Sequence, residues 1–284
     1  MAEVLRRIAR SPQGVFGLAL VALMLSLAIA GPWLAPNDPE AFVPLSRFKG
    51  PTGQFWLGTD QYGRDIFSRL LVGARSTVLM AILASALGTL AGAIIGTTSA
   101  YLGGRGDEAI MRTIDAVMSI PSLLMALLIV TLLGKSSGNA LLAIAIAFTP
   151  GMARVTRSVA LAVRKQDYIS AAIARGERAP YIIVREMLPN VIAPIIVEMT
   201  IRVAFAVMLF ATLSFLGLGA QPPKPEWGLM VAESRRYMHL SPWMIVWPSL
   251  AIAMVAIGFN LLGDALRDAL NPDRKSTRLN SSHG

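Results

Sequence analysis

Two ionisable residues one helical turn apart, Glu198 and Arg202, stand inside a segment that is otherwise apolar. At that spacing they can neutralise each other. A lone charge at the centre of a spanning helix costs about 2.5–3.5 kcal/mol on insertion scales. The pair is either a lining position on a polar pathway or a buried pair near the inner end of a span, and the residues alone leave both readings open. Little else in the chain could do chemistry. There are no cysteines, which removes disulfides, thiolate metal sites and a cysteine nucleophile. His239 and His283 are too few and too far apart to suggest a metal centre. The run "GKS" at 134–136 invites a phosphate-loop reading, but the position that should hold the first glycine is Ile129. An apolar run, not a strand, precedes it. With no Ser/His/Asp set, paired acids or zinc spacing, the chain is expected to be neither an enzyme nor an ATP binder.

The elements that must position these residues are membrane helices. Of 284 residues, 54% are hydrophobic and only 15% charged, and the mean hydropathy is +0.57. A soluble domain carries charge on about a quarter of its residues. The formal charge of +9 does not imply nucleic acid, because the basic residues flank apolar runs instead of forming one patch with aromatics. Six segments approach the roughly 20 apolar residues a spanning helix needs: about 14–35, 76–99, 113–133, 140–161, 190–218 and 243–263. The expected fold is all-α and polytopic. An even number of spans puts both termini on one side. With that side cytoplasmic, sixteen basic residues lie inside and nine outside, five of the nine in the long loop 36–75. The first apolar run, Val15 to Leu34, exceeds a signal-peptide core, so cleavage is not expected.

Local signals refine this picture. Gly88, Gly92 and Gly96 form a small-xxx-small repeat that lets another helix approach closely, within this chain or across a subunit boundary. Pro150 is expected to kink or break span four, which meets Arg154 after about fourteen apolar residues. In "GRDIFSRLLVGAR", Ile66, Phe67, Leu70 and Leu71 share a face opposite Arg64, Ser68, Arg69 and Arg75, as in a helix lying along the outer interface. The chain divides into 1–75 (first span and outer loop), 76–273 (core) and 274–284, a tail whose composition departs from the rest and is set aside.

The stretch "YISAAIARGERAPYIIVREMLPN" at 168–190 is polar and basic between apolar neighbours. A short helix is expected to end at Gly176 in a left-handed conformation. Pro180 suits the first turn of a second short helix, and Pro189 is expected to separate that helix from span five. Such an insert is an ordinary interfacial element or a docking element for a cytosolic machine.

The residues of this insert resemble the cytoplasmic EAA loop of ATP-binding-cassette importer permeases, with Ala171, Ala172, Gly176, Leu188 and Pro189 at the expected spacing and Ser170 where glutamate is usual. "FWLGTDQYGRDIFSRLLVGAR" (55–75), "GGRGDEAIMRTIDAVMSIPSLL" (103–124), "LSFLGLGAQPPKPEWG" (213–228) and "FNLLGDALRDALNPD" (259–273) resemble the C-type subunit of dipeptide/oligopeptide permeases. Ala265 and Phe210 depart from that pattern. The resemblance implies the type I importer permease fold in a bacterial inner membrane, with the coupling loop at 164–189. It implies a second, B-type permease subunit, two cytosolic ATP-binding subunits that carry ATP and magnesium, an extracytoplasmic solute-binding protein, and membrane lipid around the bundle. No cofactor is expected on this chain. The implied cargo is a di- or oligopeptide, with nickel or glutathione as alternatives. A stand-alone secondary transporter is the competing class, and such proteins tend to carry inverted repeats and midplane ion sites.

Overall fold

The computed structural model describes residues 6–9 and 11–270. The separate tail expected at 274–284 lies outside the described residues. The described residues include the helices α1 (Pro12–Leu34), α2 (Ile66–Leu102), α3 (Gly104–Met118), α4 (Ser122–Leu133), α5 (Ser137–Arg164), α6 (Asp167–Ala174), α7 (Ala179–Phe215), α8 (Trp227–Ser234) and α9 (Trp243–Leu270). Among the described residues the only strand-like pairing is an isolated bridge between Thr59 and Asp65. Among the described residues, five helices are long and apolar enough to cross a membrane, and the bent pair α3–α4 adds a sixth candidate when counted as one broken span.

The two ends of the described chain meet. Arg7 donates to the carbonyl of Ala269 at 3.0 Å, and Ile8 packs with Ala265 and Ala269. The face where they meet is termed the terminal face below. The centre of the bundle is the α2–α5 contact. Side chains at Gly88, Gly92 and Gly96 would collide with Ala145, Met152, Ala153 and Thr156 of α5. The glycine repeat therefore serves packing within this chain, because only a missing Cβ lets the two backbones come this close.

Several expectations need correction. Pro150 neither breaks α5 nor ends it: the helix continues to Arg164, with Pro150 buried inside. One lost backbone hydrogen bond is tolerated in a spanning helix whose neighbours hold it on several sides. Span three is not a straight helix over 113–133. It bends by 85° between α3 and α4, where Pro121 disfavours helical geometry at Ile120. The segment 66–75 is not a separate interfacial helix but the first turns of α2, and its Ser68 and Arg69 are buried. The division placed at residue 75 falls inside this helix. Nor does Pro189 separate the insert from span five. Helix α7 runs unbroken through it, by way of a wider π-helical stretch at Ile182–Met187.

Candidate functional site

The insert at 164–189 is built from the end of α5, all of α6 and the start of α7. Helix α6 closes on Gly176, whose φ is +76°, with Gly176 N–H donating to Ile173 O at 2.9 Å and Glu177 N–H to Ala172 O at 3.2 Å. That pair of bonds is the glycine-terminated Schellman closure, so the left-handed turn read from the sequence is present. The insert carries its own small core. Ile169, Ala172, Ile182 and Met187 are fully buried, packed with Ala93 and Ala100 of α2 and Met152 and Ala160 of α5. Facing away from this core, Tyr168 (40%), Ile173 (50%), Tyr181 (44%) and Val184 (58%) are exposed. Arg175, Arg178 and Arg185 are exposed beside them.

The residues expected to couple divide between these two surfaces. Ser170, Ala171, Gly176 and Pro189 are exposed, Leu188 is half-buried, and Ala172 is fully buried. Ala172 therefore belongs to the insert's own packing. The exposed apolar side chains, which the spacing argument passed over, form the available surface.

A polar knot fastens the same face. Asp107 of α3 accepts from Arg157 Nε at 2.6 Å, again from Arg157 Nη2, and from Ser99 Oγ at 2.5 Å. Arg164 Nη1 donates to Ala100 O at 2.9 Å. These bonds join the ends of α2, α3 and α5 immediately before the insert leaves α5.

The pair Glu198–Arg202 exists, at 3.3 Å, but it is not isolated. Arg267 of α9 also reaches Glu198, at 3.7 Å. The Arg202 side chain lies across α5, donating to the Met152 sulfur at 2.7 Å and stacking over the Phe148 ring at 5.6 Å. The group is thus a clasp between α5, α7 and α9. Glu198→Ala is expected to cost more than Arg202→Ala, because it leaves two guanidinium groups without their acid, whereas Arg202→Ala leaves Glu198 with Arg267. A loss of about 1–2 kcal/mol is expected for Glu198→Ala, because Arg202 and Glu198 are 19% and 22% exposed while Arg267, at 61%, is largely solvated and loses little. The double replacement of Glu198 and Arg202 should be milder than Glu198→Ala alone. Membrane abundance of the three variants measures this, and strictly additive losses would exclude the clasp.

The face opposite the termini holds a second knot, absent from the reading of the sequence. Arg64 donates to Asp60 at 2.5 Å and to Glu233 at 2.8 Å, and fully buried Arg69 reaches Glu233 at 3.4 Å and the carbonyl of Pro39 at 3.0 Å. Glu226 caps α8 by accepting from the N–H groups of Gly228 (2.9 Å) and Leu229 (2.8 Å), and it also accepts from Thr77 Oγ1 at 3.1 Å. Burial pushes its carboxyl above the usual carboxylate range, while these N–H donors and the hydroxyls of Ser214 and Thr77 pull it down. The long loop 36–65 is thereby fixed against α2 and α8.

Five or six candidate crossings among the described residues, with a helical insert on one face, give a polytopic membrane subunit. The chain belongs to the family of binding-protein-dependent transport system inner membrane components, whose model matches residues 88–276. Residues 1–51 match the N-terminal TM domain of oligopeptide transport permease C. Among curated relatives, the dipeptide transport system permease protein DppC of Alkalihalophilus pseudofirmus is 39% identical over 96% of this chain and 90% of its own length. The probable D,D-dipeptide transport system permease protein DdpC of Escherichia coli is 42% identical over 92% of this chain and 88% of its own. The glutathione transport system permease protein GsiD of Pectobacterium atrosepticum is 38% identical over 96% and 91%. An inward-facing structure of the MetNI methionine ABC transporter shares the fold, with a TM-score of 0.56 at 16% identity over 72% of this chain and 97% of that one. The chain is a permease subunit of an ABC importer, and the stand-alone secondary transporter is set aside.

Proposed function

We propose that this chain forms half of the pathway of a peptide importer, working with a second permease subunit, two cytosolic ATPases and an extracytoplasmic solute-binding protein. ATP and magnesium are held by the ATPases. The terminal face is assigned to the cytoplasm, a reading the basic bias supports. The observation that carries the reading is the insert: its buried side chains pack against α2 and α5 of this chain, yet Tyr168, Ile173, Tyr181 and Val184 are exposed, as are Arg175, Arg178 and Arg185 of the same stretch. A rigid apolar knob of this kind fits a groove on an ATPase, and closure of the ATPases shifts the helices by differential contacts in two states. Relatives named for dipeptides and glutathione favour a peptide-like cargo over nickel.

The test is reconstitution of the complex in liposomes with its binding protein. ATP-dependent accumulation of a labelled dipeptide, with glutathione and nickel as competitors, supports the reading; ATP-independent uptake overturns it. Because the chain lacks cysteine, single substitutions report sidedness cleanly. Ser170→Cys should label from the cytoplasm and Leu45→Cys, at a site 92% exposed on the other face, from outside.

A further inference from the structure

We infer that Thr97 of α2 and Thr156 of α5 hold a buried water between them, at the joint where the insert meets the bundle. Both side chains are fully buried, at 0% exposure. Their neighbours fix the direction in which they point. Ala93 and Ala100 stand four residues before and three after Thr97, and Met152 and Ala160 stand four residues to either side of Thr156. At those spacings each threonine shares a helix face with its two neighbours. All four neighbours belong to the small core that also takes Ile169, Ala172, Ile182 and Met187 of the insert. The helices are close here, since a Cβ on Gly96 would stand 2.9 Å from the Thr156 Cβ. The two hydroxyls thus face one another's helices inside the same core.

Among the described residues neither hydroxyl oxygen has a hydrogen-bond partner. Threonine elsewhere in these helices behaves differently: Thr113, Thr131, Thr149, Thr200 and Thr212 each donate to the carbonyl four residues back, at 2.7–3.0 Å. Thr97 and Thr156 make neither that bond nor a direct bond to each other. Ser85 and Thr89 of α2 are unpaired as well, but they lie one turn apart on one helix, whereas Thr97 and Thr156 meet across two. Leaving a hydroxyl buried and unbonded is costly. One water removes the cost for both, because each hydroxyl can donate to it or accept from it. Buried waters make about three bonds to groups of this kind, and the backbone carbonyls alongside have lone pairs to spare for the third. Two hydroxyls with no carboxylate suit a neutral molecule rather than a cation. Ser99 and Arg157, both bonded to Asp107, are two and one positions further on, so the water extends the polar knot of the terminal face into the core of the insert. This assignment stands apart from the nature of the cargo.

The experiment uses the assembled complex and measures the rate at which heating exposes this chain to protease. Valine keeps the branched shape of threonine and removes only the hydroxyl. With a bridging water, Thr97→Val and Thr156→Val each strand the hydroxyl that remains, and each should speed exposure several-fold. The double variant removes the whole polar site and should return close to the unmodified rate, a strong departure from additivity. Single variants as stable as the unmodified chain, or more stable, would mean that the hydroxyls have no ligand to lose. Additive losses would mean that each has a separate partner. Either result overturns the inference. A density map of the complex fine enough to show ordered water gives an independent check. A peak within about 3.2 Å of both hydroxyl oxygens is expected. The absence of that peak, or a direct contact of about 2.8 Å between the two oxygens, would overturn the inference whatever the variants do.

Discussion

Ile173→Asp is expected to leave the bundle assembled and to abolish ATP-driven uptake, whereas Ala172→Glu, one residue away, is expected to damage the insert itself. Ile173 is half exposed, so its replacement should leave membrane abundance within about a factor of two. Its removal deletes apolar surface from the face proposed to meet the ATPase, and truncating an interface anchor typically costs about 2 kcal/mol or more of binding. Ala172 is fully buried with Ile169, Ile182 and Met187. A carboxylate there has no partner and must protonate or force the helices apart. Gly176→Val is strained for a different reason: nothing crowds the position, but φ of +76° is an outlier for a β-branched residue. The three variants separate docking, packing and turn geometry. Co-purification of the ATPase, limited proteolysis of the insert and uptake distinguish them. An Ile173→Asp complex that imports normally would remove the docking surface from the account.

The second large effect is expected at Gly92. A Cβ there would stand 2.4 Å from the Met152 Cβ and 2.8 Å from both the Ala153 nitrogen and the Thr149 carbonyl oxygen. Two of those atoms are backbone, so no rotamer change gives way. Gly92→Leu should separate α2 from α5 at the centre of the fold, costing about 3 kcal/mol or more. Because Met152 also packs in the insert's core and receives the Arg202 bond, the damage should reach both the insert and the Glu198 clasp. Membrane abundance after a chase, together with protease resistance of α5, provides the measurement. Wild-type levels would show that the α2–α5 contact yields more readily than its backbone geometry allows.

Much of this was legible in the sequence where the signal is local. Apolar runs located the crossings, the glycine spacing marked the closest helix pair, and Gly176 announced its turn. Apart from the segment 66–75, which continues into α2, the failures share one cause: a proline was weighed without its surroundings. Pro150 and Pro189 sit in helices held by neighbours and do not interrupt them, while Pro121, which follows Ile120 in a short apolar run, marks the real break. Proline removes one donor wherever it stands; whether the helix stops depends on packing that the local sequence does not state. The polar knots were hidden for a related reason. Arg64 and Glu233 are 169 positions apart, and Arg157 and Asp107 are 50 apart. Their pairing follows from topology. Arg267, the third member of the Glu198 clasp, lies in a quoted motif but gives no local sign of its partner.

The continuity of α7 has a mechanical consequence. The insert is no adaptor hinged onto a span, because its second half is the first few turns of the same 37-residue rod, about 55 Å long. A push at Tyr181 acts on the end of a lever, and a tilt of about 10° about its midpoint sweeps each end through roughly 5 Å. The departures from regular α geometry, the π-helical stretch at Ile182–Met187 and the prolines Pro189 and Pro194, all lie near the driven end of this rod. No loop separates the knob from the span, so displacement of the one is carried directly into the other.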